Sequence, residues 1–194
     1  MKDGILIGID AGTSVIKSVA FTTRGEQIAA AAIPNLYKTF PDGGAEQDMA
    51  RTWTDTAATL KQLSEKIPNL AERLIAISVT GQGDGMWLID GAGEPVAPAW
   101  LWLDARSAAI TEAFAASQDY PAHYKRTGTG VNACQMSMQL VWMTRNRPEV
   151  LARATTGFHC KDWLYFKLTG TRATDPSEGN FTFGQYANRA RPSA

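Results

Sequence analysis

The residues with the clearest chemical potential lie near the start of the chain. Residues 5–17 read Ile-Leu-Ile-Gly-Ile-Asp-Ala-Gly-Thr-Ser-Val-Ile-Lys. An apolar strand ends in the carboxylate of Asp10, a turn carries Gly12, Thr13 and Ser14, and a second apolar strand carries Lys17. A carboxylate at a strand end beside a glycine-hydroxyl turn can hold a hydrated metal ion and a phosphate side by side. Metal-assisted phosphoryl transfer uses that pairing. The same residues also suit a plain β-hairpin, because Asp, Gly and Thr are common in turns.

A second constellation is Gly81-Gln82-Gly83-Asp84-Gly85, which follows the apolar run Leu74–Thr80. Ligands of open α/β sheets collect at such strand ends, and the glycines let a ligand approach the backbone closely. The amide of Gln82 and the carboxylate of Asp84 suit the hydroxyls of a polyol or sugar. A Gly-rich loop with an Asp turn explains the same residues without a ligand. The third constellation is Trp100-Leu101-Trp102-Leu103-Asp104-Ala105-Arg106. Aromatic faces beside a carboxylate and a guanidinium are common around carbohydrates. Trp100 and Trp102 read more simply as core residues, whereas Asp104 and Arg106 suit either a ligand or a structural ion pair.

Other reactive side chains stand apart. His123 and His159 read as structural, Cys134 has no neighbouring base in sequence, and Asp162 reads as a first-turn helix charge. There is no Gly-x-x-x-x-Gly-Lys-Ser/Thr loop and no Gly-x-Ser-x-Gly elbow. These absences exclude a P-loop and count against an α/β-hydrolase.

The elements that must position these groups follow from apolar patterning. Strands are expected at about Gly4–Asp10, Val15–Thr22 and Gln27–Ala32, with nearly continuous apolar runs that suit burial on both faces. A helix over about Asp48–Ile67 places Trp53, Ala57, Leu60, Leu63 and Ile67 on one face, with Asp48 as its cap. A buried strand, Leu74–Thr80, leads into the glycine loop. Met86–Ile89 is a further strand, and Asp90–Gly93 a hairpin loop. Helices are expected at Ser107–Ser117, Met136–Asn146 and Lys161–Leu168, while Asn188–Ala194 has no apolar period. The order βββαβα argues an α/β fold, a mixed sheet that opens with a three-stranded meander and is flanked by helices.

Lys and Arg together number 19, as do Asp and Glu, so the formal net charge is zero. Nothing in that balance points to nucleic acid or a membrane surface as partner. The opening Met-Lys-Asp-Gly and its short apolar run do not read as a signal peptide, and no stretch reaches transmembrane length. Cys134 and Cys160 form no framework, so the chain reads as cytoplasmic with both thiols free.

Several segments in order resemble the FGGY carbohydrate kinases of the actin/Hsp70/sugar-kinase superfamily. Ile9-Asp10-Ala11-Gly12-Thr13-Ser14 resembles their phosphate-binding opening. Gly44-Ala45-Glu46-Gln47-Asp48, with Trp53 beyond it, resembles their Glu-Gln-Asp segment. Val79-Thr80-Gly81-Gln82 with Asp84 resembles their sugar-binding strand end, and Trp102-Leu103-Asp104-Ala105-Arg106 their Trp-x-Asp-x-Arg. Lys161-Asp162-Trp163-Leu164 with Leu168-Thr169-Gly170, then Thr174-Asp175-Pro176-Ser177-Glu178, complete the set. Within the family, Val79–Trp87 and Trp100–Ser107 look most like the erythritol kinases.

The resemblance implies a ribonuclease H-like, actin-like ATPase domain. It implies that Asp10 holds Mg²⁺ through water and that Gly12, Thr13, Ser14 and Lys17 serve the phosphates of ATP. It implies that Gln82 and Asp84 bind polyol hydroxyls, and that Asp104 and Arg106 line or brace the sugar pocket. The family's glycerol kinases carry an Arg where this chain has Gly83, and a substrate-contacting Tyr where it has Cys134. The family's catalytic base is an Asp expected beyond residue 194, and its adenosine pocket lies mostly in a second domain. Residues 1–194 therefore resemble a truncated N-terminal domain, inactive alone, of an enzyme that phosphorylates a small polyol or sugar at a terminal hydroxyl. A homodimer of the complete enzyme is among the assemblies the resemblance allows. Exposed apolar surface where further chain should dock makes self-association a hazard. Two rivals stay open: another ATPase on the same scaffold, and a non-catalytic sugar-binding module.

Overall fold

A computed structural model describes residues 4–183. Its centre is a four-stranded sheet. Strands β1 (Ile5–Ala11), β2 (Val15–Thr22) and β3 (Gln27–Pro34) form the expected antiparallel meander. After the short strands β4 (Lys38–Thr39) and β5 (Ala45–Gln47), the chain enters helix α1 (Met49–Lys66) and the turn-length α2 (Leu70–Arg73). It returns as β6 (Leu74–Gly81), parallel to β1, in the order β3-β2-β1-β6. The α/β class and the mixed sheet are therefore as expected.

The strands are not buried on both faces. In β1, Ile5, Ile7, Ile9 and Ala11 are buried, while Leu6 and Asp10 alternate with them and are exposed. β6, expected to be buried, is mostly exposed, with Ile75 at 62% and Ile77 at 36%. Apolar residues on an outward face hide the period-2 alternation from the sequence. Burial needs a covering layer, and α1 supplies it on one face of the meander only.

The helix face turns out to be different as well. Met49, Thr52, Thr56, Thr59 and Leu63 are buried on α1, while Trp53 and Leu60 are only partly buried. The threonine hydroxyls are spent inside the element: Thr52 donates to the Asp48 carbonyl and Thr56 to the Thr52 carbonyl. Thr59 also meets Ser18 of β2 at 2.6 Å. Small, self-satisfied side chains let α1 lie close on the alanine-rich strands. Asp48 caps the helix as expected, accepting from the Arg51 amide.

The rest of the chain wraps the strand ends. β7 (Trp87–Ile89) pairs with β9 (Thr156–Phe158), and β8 (Ala99–Trp100) joins β5. Helices α3 (Ala108–Ala115), α4 (Tyr120–Thr127), α5 (Met136–Asn146), α6 (Pro148–Leu151), α7 (Cys160–Thr169) and α8 (Pro176–Phe183) follow. The expected helices match α3, α5 and α7. The short α4, α6 and α8 and the two-residue strands lack enough period to be read from sequence. Asn188–Ala194 lies outside the described residues. Among the described residues no helix is long and apolar enough to cross a membrane.

Candidate active site

The β1–β2 turn is built as the residue order suggests. Asp10 lies opposite Lys17 across the β1–β2 ladder and opposite Thr80 across β1–β6. All three residues lie on the sheet face that α1 leaves open. The turn is tied down by Asn35, whose amide donates to the Ser14 carbonyl and whose Nδ2 donates to the Gly12 carbonyl at 2.8 Å.

At the end of β6, Gly81 is a close-approach glycine: a Cβ there would lie 3.1 Å from Cys160 Sγ and 3.2 Å from the Ala11 carbonyl. Gln82 is buried and both ends of its amide are engaged, Nε2 donating to Gln47 Oε1 and Oε1 accepting from Thr13 Oγ1. Asp84 is half-buried and has φ of +53°, a conformation that costs a non-glycine residue energy and often marks functional sites. Cys134 packs beside it, with Sγ 3.4 Å from Asp84 Oδ2. Burial, then the Asp84 charge and hydrogen bond, push the thiol up to about 12. Cys134 is therefore a thiol, not a thiolate, at neutral pH. Asp84→Asn removes the charge that disfavours the thiolate, so iodoacetamide should label Cys134 faster in that variant, read by intact-mass spectrometry. An unchanged labelling rate would show that the two groups are not coupled.

Trp100 and Trp102 separate. Trp100 is core, as expected. Trp102 is 48% exposed, and its indole Nε1 donates to Thr13 Oγ1 at 2.9 Å. In sequence, two tryptophans in an apolar run look alike. Only the end of β8 at Trp100 turns the second one outward.

Asp104 and Arg106 are spent on the protein. Asp104 is 1% exposed and accepts from the Ala45 amide at 2.8 Å and from Arg106 Nη2 at 2.6 Å. Arg106 also pairs with Glu46 at 3.0 Å and lies 3.5 Å over the Trp100 ring. Burial lowers the arginine pKa, but the hydrogen bonds and charges of Asp104 and Glu46 outweigh it and raise the net value.

The Lys161 and Asp175 segments form a separate latch. Lys161 Nζ bridges Asp162 and Asp175, and Asp162 caps α7 and accepts from Thr174. His159 Nδ1 lies 3.3 Å from Glu178 Oε2. Burial raises the Asp162 pKa, yet the hydrogen bonds from His159 and Lys161 win and lower it. These contacts fasten α8 to α7 rather than face the turn at Gly12.

The structure thus brings Thr13, Gln82 and Trp102 into direct contact and places Asp10, Lys17 and Thr80 on neighbouring strands. It sets Asp104 and Arg106 behind Trp100. Among the described residues no group of three or more His, Cys, Asp or Glu side chains could hold a metal ion. Asp10 offers one exposed carboxylate beside hydroxyls, a donor set that fits Mg²⁺ carried mainly by water and phosphate oxygens.

A profile described as the FGGY family of carbohydrate kinases, N-terminal domain, matches residues 5–182. The chain belongs to the FGGY family. It is 51% identical over 188 residues to an erythritol kinase of Brucella abortus, a match that covers 97% of this chain and 36% of that protein. Its fold matches a xylulose kinase from Rhodospirillum rubrum with a TM-score of 0.86 at 27% identity, over 92% of this chain and 37% of that one. A gluconate kinase from Lactobacillus acidophilus shares the fold, with a TM-score of 0.86 at 22% identity, over 94% of this chain and 36% of that one. The fold is therefore that of the actin-like FGGY kinases. The chain spans about a third of the length of these relatives.

Proposed function

We propose that this chain is part of the N-terminal domain of an ATP-dependent, cytoplasmic kinase that phosphorylates a small, erythritol-like polyol at a terminal hydroxyl. The observation that carries this reading is the hydrogen bond from Trp102 to Thr13. It joins the residue best placed to pack on a polyol's carbon face to the turn best suited to phosphate, as transfer between two bound substrates requires. The relative named erythritol kinase supports the substrate class. Gly83 supports room for a polyol longer than glycerol, because a Cβ at that position would meet nothing within 4 Å.

In this reading Asp84 accepts polyol hydroxyls and Trp102 stacks on the carbon face. The turn at Gly12, Thr13 and Ser14, together with Lys17, receives the ATP phosphates through backbone N–H groups, the Ser14 hydroxyl and the lysine ammonium, because the Thr13 hydroxyl proton is spent on Gln82. Asp10 would hold hydrated Mg²⁺, which when bound offsets charge on the phosphates. Gln82, Asp104 and Arg106 brace the site. The catalytic base is an Asp beyond residue 194, so residues 1–194 alone transfer phosphate negligibly.

The test is coupled ADP release with Mg²⁺ and ATP against erythritol, glycerol, xylitol, ribitol, xylulose and ribulose. This chain is run beside the chain extended through the reading frame that follows residue 194. Turnover of a polyol by the extended chain alone supports the reading. Turnover by residues 1–194 places the base within them. Silence of both favours a binding module.

A further inference from the structure

The contacts between the phosphate turn and the β6 end form a hydrogen-bond circuit that runs in one direction. It starts at the Trp102 indole, which can only donate. Nε1 donates to Thr13 Oγ1, so the single Thr13 proton passes to Gln82 Oε1 at 3.3 Å. Gln82 Nε2 donates to Gln47 Oε1 at 2.8 Å. Gln47 Nε2 donates to Asn35 Oδ1 at 3.1 Å and to Thr52 Oγ1 at 2.6 Å. Asn35 Nδ2 donates to the Gly12 carbonyl at 2.8 Å. That carbonyl can only accept, and it belongs to the residue before Thr13, so the circuit closes on the turn.

The two ends admit one orientation for all three amides. Thr52 agrees with it, because its own proton goes to the Asp48 carbonyl and leaves its oxygen to accept. Asn35, Gln47 and Gln82 are each no more than 7% exposed. Water therefore cannot readily replace a broken link, and a buried unpaired amide is costly. Bonds aligned in this way also polarise one another.

We propose that Gln47 and Asn35 are positioning residues that hold the Gly12–Thr13 turn and direct the Thr13 hydroxyl, so that the phosphate turn and the β6 end are set as one unit. Their part in phosphoryl transfer rests on the kinase reading above. Gln47 touches neither phosphate nor polyol in that reading. It acts through Gln82 and Asn35.

Gln47→Glu tests this with almost no change of shape. A carboxylate only accepts, so one oxygen still takes the Gln82 N–H while the other faces Asn35 Oδ1. Asn35 must then turn its amide, which sets its oxygen against the Gly12 carbonyl. Protonating the introduced carboxylate restores one donor, so the defect should shrink as pH falls. The extended chain, wild type and Gln47→Glu, is followed by hydrogen–deuterium exchange and by ADP release with Mg²⁺, ATP and erythritol. The expected result is faster exchange confined to residues 10–17 and kcat/KM for MgATP lowered about tenfold or more. KM for erythritol should change less than about threefold, and the loss should ease at lower pH. Asn35→Asp should show the same pattern and serves if Gln47→Glu does not fold.

Unchanged exchange at residues 10–17, an increase spread evenly over β1–β3 and α1, or a loss independent of pH overturns the circuit. A wild-type chain with no polyol-dependent ADP release overturns the kinase reading. Confined exchange in the variant would still support the circuit in that case, so the two failures are distinguishable.

Discussion

Asp84→Gly in the extended chain should lose at least about 100-fold in kcat/KM for the polyol while keeping or slightly raising thermal stability. In the proposed kinase reading the Asp84 carboxylate accepts substrate hydroxyls. Hydrogen bonds to a charged group contribute about 1.5–3 kcal/mol each, and two of them correspond to at least about 100-fold. The backbone argues the other way for stability. Asp84 sits at φ of +53°, where glycine is unstrained, so its replacement removes strain worth about 1 kcal/mol or less after the entropy cost of glycine. Opposite signs on activity and stability mark a residue retained for binding. Steady-state kinetics and a melting curve on one preparation decide it. A kcat/KM within about threefold of wild type would remove Asp84 from the polyol site.

Asp104→Ala should destabilise the extended chain by about 3–5 kcal/mol, the usual cost of removing one partner of a buried pair. It leaves the Arg106 guanidinium, whose side chain is 3% exposed, with Glu46 as its one remaining carboxylate partner among the described residues. It also leaves the Ala45 amide without its acceptor. A loss of that size is a large share of the stability of an ordinary domain. The double variant Asp104→Ala with Arg106→Met should recover only part of it, because it removes the buried guanidinium but leaves the Ala45 amide and Glu46 without their partners. Urea unfolding measures both. Activity then separates two roles: a double variant that folds and keeps kcat/KM within about tenfold is consistent with a brace. A folded double variant without activity would return Asp104 or Arg106 to the polyol contacts.

How far the site could be read from the chain depends on how local each contact is. Asp10, Gly12, Thr13, Ser14 and Lys17 are legible because a strand, a tight turn and a strand place neighbours in sequence side by side in space. Asp48 as a helix cap and Gly170 as the end of α7 are legible for the same reason. Gln82 illustrates the limit. Its residue type suits polyol hydroxyls, but its amide is spent on Gln47 and Thr13, partners 35 and 69 positions away. Trp102 looks like a core residue in sequence, yet it meets Thr13 across 89 positions.

The order of strands and helices, the meander and the phosphate-suited turn follow from residue patterns, because local geometry and apolar period act over a few residues. Which face of a strand or helix is covered does not follow, since covering depends on a layer contributed from elsewhere in the chain. Leu6 and Ile75 are as apolar as Ile7 and Ile9, yet lie exposed. The same holds for polar roles. An Asp, Arg or Gln side chain announces what it can bond, but packing selects among its partners. It set Asp104 and Arg106 against each other, closed Gln47 and Asn35 into the circuit behind Thr13, and left Trp102 exposed and Asp84 half-buried beside Cys134.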